Sequence, residues 1–168
     1  MHSWDSKWYS RIMFEAVVLS SYSKDPRKQV GCKIVDNERI ELSSGYNGFP
    51  RGIKDTQENL QNRDKKLRMI IHAEENAICS AARKGHSLLG GIAFVTAHPC
   101  ASCAGKLIQV GIRSVIYLEE KHSETKNWEE DYVLAKELFI EAGVLLLEVQ
   151  RESIENTIRQ YMLEYARS

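Results

Sequence analysis

The sequence lacks the features that direct a protein to a membrane, to nucleic acid or to a secretory route. None of its apolar runs approaches the ~18 residues of a membrane span. The N-terminus has Asp5 and Lys7 among aromatic residues and shows no signal-peptide layout. The 168 residues include 23 basic and 23 acidic side chains, so no net field attracts a polynucleotide. We therefore expect a cytoplasmic protein with no membrane or nucleic-acid partner.

Cysteine is scarce, and its placement divides the four residues into two pairs. The reducing cytoplasm argues against a disulfide framework. Cys32 and Cys79 lie among apolar residues and are expected to be buried as small hydrophobic side chains. Cys100 and Cys103 form a C-x-x-C motif, which is typical of a metal site or of a redox dithiol.

The N-terminal part of the chain predicts a helix followed by a β-hairpin. Apolar residues recur at steps of three and four, as on one helix face, at Trp4, Trp8, Ile12, Ala16 and Leu19. The strand-like segments QVGCKIVD and RIELSSGYN follow, with NE as the turn between them. Residues 51–71 are polar and poorly periodic, so we expect a long and partly helical connection there.

From residue 72 onward, helical and strand-like segments alternate. Strands are predicted at GIAFVTA, SVIYLE and VLLLEV. Helices are predicted over residues 73–84 and 100–110. Asn127 and Glu130 resemble a capping box that opens a further helix, and a last helix covers an extension of about 150–168. The alternation favours a single layered α/β domain, residues 1–168, with helices on both faces of the sheet.

Two short motifs place chemically active side chains at predicted helix starts. His72 precedes one helix, and Cys100 and Cys103 open another. The three-residue spacing brings both thiols to one helix face, and a helix N-terminus favours the thiolate by lowering the thiol pKa. One imidazole and two thiolates can hold Zn²⁺ and leave its fourth position open, as in catalytic sites. The sequence therefore predicts a zinc site.

Glu74 lies two residues after His72, within reach of water at such a site. The order H-x-E followed by P-C-x-x-C is the signature of zinc-dependent nucleobase deaminases, in which the glutamate moves protons and is not a ligand. His98 precedes the Pro-Cys pair and is expected to line the pocket. His2, His86 and His122 are expected to face solvent.

Each motif alone also has an ordinary structural explanation. HAE is a good surface helix start, and a lone C-x-x-C is commonly a redox pair or half of a structural zinc site. The GYNG segment alone is typical of a turn, and Lys24, Arg27 and Arg83 can be solvated charges. The ordered combination, with each half opening a helix, favours a catalytic zinc site over these explanations.

Four blocks together resemble the deoxycytidylate (dCMP) deaminase family over roughly residues 10–149: SKDPRKQVGCKIV, GYNGFPRG, HAEENAI and HPCASCAGKLIQVGI. The last two blocks are shared across the wider cytidine deaminase superfamily, and the first two resemble dCMP deaminases in particular. The resemblance implies a three-layer α/β/α fold around a mixed five-stranded sheet. It also implies hydrolysis of dCMP to dUMP and ammonia, which supplies the precursor of thymidylate.

The resemblance also implies roles for individual residues. His72, Cys100 and Cys103 match the zinc ligands, and Glu74 matches the proton shuttle. Asn47 matches the asparagine that contacts the nucleoside. Backbone N–H groups near Ala73 and Cys100 are expected to face the pyrimidine carbonyl, with His98 nearby. Basic residues near the expected pocket are candidates for the phosphate, which favours charge-assisted hydrogen bonds: Lys24, Arg27 and Arg51.

Regulated relatives carry additional Cys and His residues before the HAE block, in a second, structural zinc site. Residues 51–71 contain neither, so we predict one zinc ion per chain. The GYNGFPRG block resembles the segment that binds dCTP or dTTP, with Mg²⁺, in regulated relatives. Effector binding at that block therefore stays open, with these candidate residues: Gly45, Tyr46, Gly48 and Arg51.

The resemblance favours a homo-oligomer, with a hexamer as the preferred size, since most relatives are multimeric. The last helix offers an aromatic stripe with Tyr161 and Tyr165 that a monomer would leave partly exposed. This stripe is consistent with an interface between copies of the chain.

Other functions stay open from the sequence. The alternative substrates to dCMP are dCTP, deoxycytidine and a base in RNA, although zero net charge argues against a polynucleotide. A zinc-binding assembly module without activity would have a closed fourth zinc position. A redox dithiol would show reversible oxidation of Cys100 and Cys103 and no metal.

Overall fold

The computed structural model describes residues 4–120 and 128–167. In chain order its elements are α1 (Ser6–Ser20), β1 (Gly31–Val35), β2 (Glu41–Tyr46), α2 (Gln57–Gln61), α3 (Arg63–Met69), α4 (Ala73–Lys84), β3 (Ile92–Val95), α5 (Ala101–Gln109), β4 (Ser114–Leu118), α6 (Glu129–Glu141), β5 (Leu145–Val149) and α7 (Arg151–Tyr165). The N-terminal helix, the hairpin, the partly helical connection and the alternation that follows are all confirmed.

One mixed five-stranded sheet has the strand order β2-β1-β3-β4-β5. β1 pairs antiparallel with both β2 and β3, whereas β3, β4 and β5 are parallel. The parallel strands are joined through α5 and α6. The loop after the C-terminal end of β3 leads to Cys100, so the sheet positions one of the two predicted motifs at an edge where α/β proteins commonly bind ligands.

Helices cover both faces of the sheet, which confirms the predicted three-layer α/β/α arrangement. On one face α4, α5 and α6 enclose a core that includes Ala77, Ala81, Ala104, Leu107 and Phe139. On the other face α1 and α7 pack against the sheet, and the core between them includes Met13, Ala16, Phe94, Ile116 and Ile154. Each fully buried large apolar side chain stabilises the fold by about 1.5–3 kcal/mol. The two cores therefore fix the sheet between rigid helical layers.

Helix α4 lies unusually close to β2, and Gly45 is the reason. A Cβ atom at Gly45 would lie 2.4 Å from the backbone nitrogen of Ala77 and 2.5 Å from the carbonyl oxygen of Ala73. Ser43, on the same strand, donates a hydrogen bond from its hydroxyl to the carbonyl of Ala77 at 2.7 Å. The absence of a side chain at Gly45 thus sets the position of the helix that carries the HAE motif.

One prediction about a single residue is wrong, and three others concern residues outside the described ranges. Cys32 is fully buried, but Cys79 is exposed, so its predicted burial is wrong. Cys79 lies two residues after the buried Ala77, and such a step points to the opposite face of an α-helix. Asn127 lies outside the described residues, and α6 begins at Glu129 with Trp128 as its N-cap. His86 is exposed as expected, whereas His2 and His122 lie outside the described residues.

The last helix packs on the molecule only through its first half. Ile154 is buried against α1, and Ile158 is partly buried there. Tyr161, Met162 and Leu163 are more than half exposed. None of the described helices combines the length and apolar character that a membrane crossing requires.

Candidate metal centre and active site

Two helix starts meet at one point, and each begins with a predicted metal ligand. His72 is the N-cap residue of α4, and Cys100 is the N-cap residue of α5. The backbone of Ile71, just before His72, pairs with Gly48 through hydrogen bonds of 2.8 and 3.1 Å. Pro99, just before Cys100, is fully buried. Both approaches to the helices are therefore held by packing or by backbone pairing.

The three predicted ligands converge. Nδ1 of His72 lies 3.5 Å from Sγ of Cys100 and 3.4 Å from Sγ of Cys103. Ligand distances of about 2.3 Å for sulfur and 2.05 Å for nitrogen put N and S about 3.6 Å apart in a tetrahedral zinc site. Within the described ranges, no other group of three or more His, Cys, Asp or Glu side chains clusters in this way. The donors fit Zn²⁺ in both chemistry and spacing.

The charges of the three donors also suit a cation. Hydrogen bonds from the Cys103 thiol and from His72 lower the pKa of Cys100 to about 4. The pKa of Cys103 is raised because its thiol donates to Cys100 and because it is buried near Glu74. The hydrogen bond to Cys100 raises the pKa of His72. One thiolate is thus stable without a metal, whereas ionising the second thiol as well needs a positive charge between them.

Glu74 is buried beside the three donors, and only 4% of its surface is exposed. Burial raises its pKa from 4.5 to about 7. A carboxyl group with a pKa close to neutrality can both accept and release a proton at physiological pH. Glu74 therefore has the proton affinity that an acid–base group needs.

Side chains from neighbouring helices hold the two helix starts together. The carboxylate of Asp131, on α6, accepts a hydrogen bond from the backbone N–H of Ala101 at 2.9 Å. Lys106 on α5 and Glu75 on α4 form an ion pair of 2.8 Å. These contacts join α4, α5 and α6 around the cysteines. The sequence offered no signal for them, because they link residues that lie 30 or 31 positions apart.

A cavity of about 230 Å³ opens beside the donors. It is lined by His72, Glu74 and Cys100. Of the residues expected around the substrate, Arg27, Asn47, Ala73 and His98 also line it. The structure therefore brings most of the predicted site residues to a single cavity.

Asn47 has a structural role in addition to its place in the cavity wall. It is buried, its side-chain oxygen accepts a hydrogen bond from the N–H of Val30 at 2.8 Å, and its amide donates to the carbonyl of Lys28 at 2.9 Å. The Asn47 amide thus joins the end of β2 to the segment that precedes β1.

An aromatic wall bounds the cavity next to Cys100. The ring of His98 stacks on Tyr132 with a centroid distance of 4.4 Å, and Tyr117 meets the same ring edge-on at 4.6 Å. Nδ1 of His98 lies 2.8 Å from the carbonyl of Pro99, and burial lowers the pKa of His98. Trp128 stacks against Tyr132 and also lines the cavity. His98 is thus a neutral part of this wall and lies outside the metal cluster.

Two of the basic candidates lie elsewhere. Lys24 is exposed and forms an ion pair with Asp55 at 2.7 Å, and it does not line the cavity. Arg51 is exposed and also does not line it. In the same block, the ring of Tyr46 meets Tyr22 edge-on, and its carbonyl accepts a hydrogen bond from Asn76. The GYNG block thus has a packing role in the fold.

Sequence reasoning missed several cavity residues. Lys28 and Lys66 line the cavity, and both are held by buried carboxylates: Lys28 by Glu120, and Lys66 by Asp25. Arg63 lines it as well and comes from α3. The RDKK run was the available signal, but four adjacent charges on a short helix are typical of a solvated surface.

Comparison with known proteins gives three findings. The family model for the "cytidine and deoxycytidylate deaminase zinc-binding region" matches residues 6–119. The protein called "Uncharacterized deaminase in luxG 3'region" of Aliivibrio fischeri is 40% identical over 139 residues, which cover 83% of this chain and 91% of that protein. The deoxycytidylate deaminase of Mus musculus is 36% identical over 146 residues, which cover 82% of this chain and 77% of that protein.

Solved structures share the fold. The dCMP deaminase from the cyanophage S-TIM5, crystallised in complex with dCMP and dUMP, matches with a TM-score of 0.69 and 24% sequence identity. The match covers 87% of this chain and 99% of that one. Its layered architecture therefore corresponds to the one described above.

Proposed function

This chain belongs to the cytidine and deoxycytidylate deaminase family, and we propose that it hydrolyses dCMP to dUMP and ammonia. The observation that carries the proposal is the convergence of His72, Cys100 and Cys103 beside the buried Glu74, at the wall of one cavity. The deoxycytidylate deaminases among the relatives support a cytosine nucleotide as the substrate. Such a reaction would supply the precursor of thymidylate.

His72, Cys100 and Cys103 would hold the zinc ion. When bound there, zinc supplies Lewis acidity, which lowers the pKa of water towards neutrality. The chain itself contributes the proton transfers. Glu74 accepts a proton from the attacking water and delivers it to N3 of the pyrimidine. The water oxygen adds to C4. As the bond between C4 and the amino nitrogen then breaks, Glu74 takes the proton of the new C4 hydroxyl and passes it to the amino nitrogen, so that ammonia leaves and C4 keeps a carbonyl oxygen. General acid–base help of this kind is worth about 10²–10⁴ in rate.

The N-terminus of α4 supports the proposed orientation of the base. The side chain of the N-cap residue His72 makes no capping hydrogen bond, which leaves the N-terminus of α4 able to bind an external acceptor. Ala73 lies at this position and lines the cavity. We assign its N–H group to the pyrimidine carbonyl, and Asn47 to the nucleoside side of the cavity. The aromatic wall formed by His98 and Tyr132 offers a flat surface beside the base.

The same geometry disfavours the two other kinds of function. In a redox dithiol no imidazole is required within 3.5 Å of the sulfurs, as His72 is here. In an assembly module the metal would be closed off, whereas here a cavity of about 230 Å³ reaches the cluster. A buried carboxyl such as Glu74 is costly to a fold and has a clear use only in proton transfer.

The test is product analysis with zinc-loaded protein and dCMP, dCTP and deoxycytidine in parallel. We expect dUMP from dCMP at the highest kcat/KM, with less product from the other two compounds. If dCTP or deoxycytidine gives the highest kcat/KM, that compound is the substrate in place of dCMP, and the reaction is still a deamination. If none of the three compounds gives a uracil-containing product, deamination of a cytosine nucleotide is contradicted.

A further inference from the structure

Glu120 is a buried carboxylate that the proposed chemistry does not use. It follows the end of β4 by two residues, and its side chain is 4% exposed. It does not line the cavity beside the metal cluster. A buried carboxylate is costly to the fold unless hydrogen-bond donors or cations compensate its charge. Its partners therefore show which parts of the molecule it holds together.

Three donors from separate segments converge on Glu120. Its Oε2 atom accepts a hydrogen bond from the backbone N–H of His98 at 2.8 Å and another from the hydroxyl of Tyr132 at 3.2 Å. Its Oε1 atom forms the ion pair with Lys28. Burial and the Glu120 carboxylate raise the pKa of Tyr132, so the hydroxyl keeps its proton and stays a hydrogen-bond donor. One oxygen atom thus holds both members of the stacked pair in the aromatic wall.

The sheet topology explains why Glu120 is within reach of this pair. Strands β3 and β4 are parallel neighbours, so the residues after their C-terminal ends lie at the same edge of the sheet. His98 follows the end of β3 by three residues, and Glu120 follows the end of β4 by two. Because His98 is also two residues before Cys100, the contact with Glu120 lies next to a predicted zinc ligand.

Packing alone does not fix the stacked pair. His98 and Tyr132 line the cavity beside the metal cluster, and they also line a second cavity of about 360 Å³. Both residues are only partly buried. Rings that border open space lack the dense contacts that hold core side chains in one position. Hydrogen bonds to a carboxylate are stronger than neutral ones, and here they supply the constraint that packing does not.

We propose that Glu120 is a positioning residue whose carboxylate holds His98 and Tyr132 in place as a flat support for the pyrimidine ring. This inference rests on the proposed function, in which the base lies beside that pair. A support with one fixed orientation limits the base to the pose in which C4 faces Glu74, and orientation of this kind contributes to catalysis. Glu120 acts only through its neighbours, because it does not reach the cavity itself.

The test compares Glu120→Leu with Glu120→Gln and with a matched control, Glu119→Leu. Leucine removes both acceptor oxygens, whereas glutamine keeps one oxygen for His98 and Tyr132. Glu119 accepts a hydrogen bond from the backbone N–H of Arg151 at the start of α7 and does not line the cavity. Its replacement therefore removes a buried contact of the neighbouring glutamate without touching the aromatic wall.

Steady-state kinetics are measured on the zinc-loaded proteins with dCMP and with deoxycytidine. We expect Glu120→Leu to lower kcat/KM about 10- to 100-fold, since a small misplacement in an active site can cost about 100-fold. The loss is equal for the two compounds, because they present the same base. Glu120→Gln recovers most of the lost kcat/KM, and Glu119→Leu behaves as wild type.

Tyr132→Phe is the second variant, which keeps the ring and removes only the hydroxyl that donates to Glu120. It decides the question if Glu120→Leu does not fold. We expect a loss in kcat/KM of about 3- to 10-fold, the size of one hydrogen bond, and again the same loss with dCMP and with deoxycytidine.

Wild-type kinetics in Tyr132→Phe and in any folded Glu120→Leu protein would overturn the proposal. A loss confined to dCMP would also overturn it, because Glu120 would then act through Lys28 and not through the base. An equal loss in Glu119→Leu would show an effect on the fold as a whole. A Glu120→Gln protein as impaired as Glu120→Leu would assign the effect to the lost charge and not to the two hydrogen bonds.

Titration calorimetry with dUMP separates this inference from the proposed function, since it needs no turnover. If wild type deaminates no cytosine compound, weaker dUMP binding by Glu120→Leu or Tyr132→Phe than by Glu120→Gln still supports the role of Glu120. Equal dUMP binding by these variants, or no dUMP binding by wild type, would refute it.

Discussion

The carboxylate of Asp131 on α6 accepts a hydrogen bond from the backbone N–H of Ala101, at the first turn of the helix that carries the cysteines. Ala101 directly follows Cys100, so this contact holds the position of a predicted zinc ligand. A cap from another helix is also favourable because a negative charge complements the helix N-terminus.

We expect Asp131→Ala to lower the free energy of unfolding by about 1 kcal/mol, as the loss of a capping side chain does. We also expect it to weaken zinc retention, because the start of α5 loses its anchor. Urea denaturation and zinc per chain after dialysis measure the two effects. Asp131→Asn keeps an acceptor oxygen and serves as the control. An alanine variant with wild-type stability and zinc content would contradict this role for Asp131.

The buried ion pair between Lys66 and Asp25 gives a second prediction. Lys66→Met leaves a carboxylate buried without its cation, which typically costs about 3–5 kcal/mol. The control is Lys24→Met, which breaks the exposed ion pair with Asp55; the side chain of Lys24 is 69% exposed. Its expected cost is much smaller, because solvent screens an exposed ion pair. Urea denaturation of both variants makes the comparison, and equal costs would show that Lys66 does not anchor α3.

The close packing of α4 on β2 gives a third prediction. Gly45→Ala places a Cβ atom 2.4 Å from the backbone nitrogen of Ala77, and backbone atoms cannot move away without a free-energy cost. We expect a loss of about 1–3 kcal/mol, as in other overpacked sites. Gly48→Ala is the matched control, because a Cβ atom there meets nothing within 4 Å. Thermal unfolding of the two variants distinguishes them, and a Gly45→Ala protein as stable as Gly48→Ala would argue against the close contact.

The exposed half of α7 leads to a prediction about assembly. Tyr161, Met162 and Leu163 are 55%, 57% and 54% exposed, and neighbouring apolar side chains of this kind are typical of an interface. We expect a homo-oligomer, with six times the chain mass of 19.2 kDa as the preferred value. Light scattering after size exclusion measures it. Met162→Glu is expected to weaken the assembly. If the wild-type protein has the mass of a single chain at micromolar concentration, the predicted homo-oligomer is contradicted.

The parts of the fold and site that depend on local spacing could be predicted from the sequence. The alternation after residue 72 gave the layers, and the spacing of His72, Cys100 and Cys103 gave the ligand cluster. The parts that depend on tertiary contacts could not. Lys66 is surrounded in sequence by charged residues, yet it is buried and forms an ion pair with Asp25, which lies 41 positions away. Lys24 and Arg27 are similar in sequence terms, and only the folded loop places Arg27 at the cavity and Lys24 outside it.

The central claim is that Glu74 moves protons in a hydrolysis carried out beside His72, Cys100 and Cys103. The most direct measurement follows dUMP formation from dCMP by wild type and by Glu74→Gln, with zinc per chain determined on the same samples. The account predicts one zinc ion in each protein and a loss of turnover of about 10²–10⁴ in the variant, since acid–base help is removed while the ligands remain. Wild-type turnover by a zinc-loaded Glu74→Gln protein would contradict it.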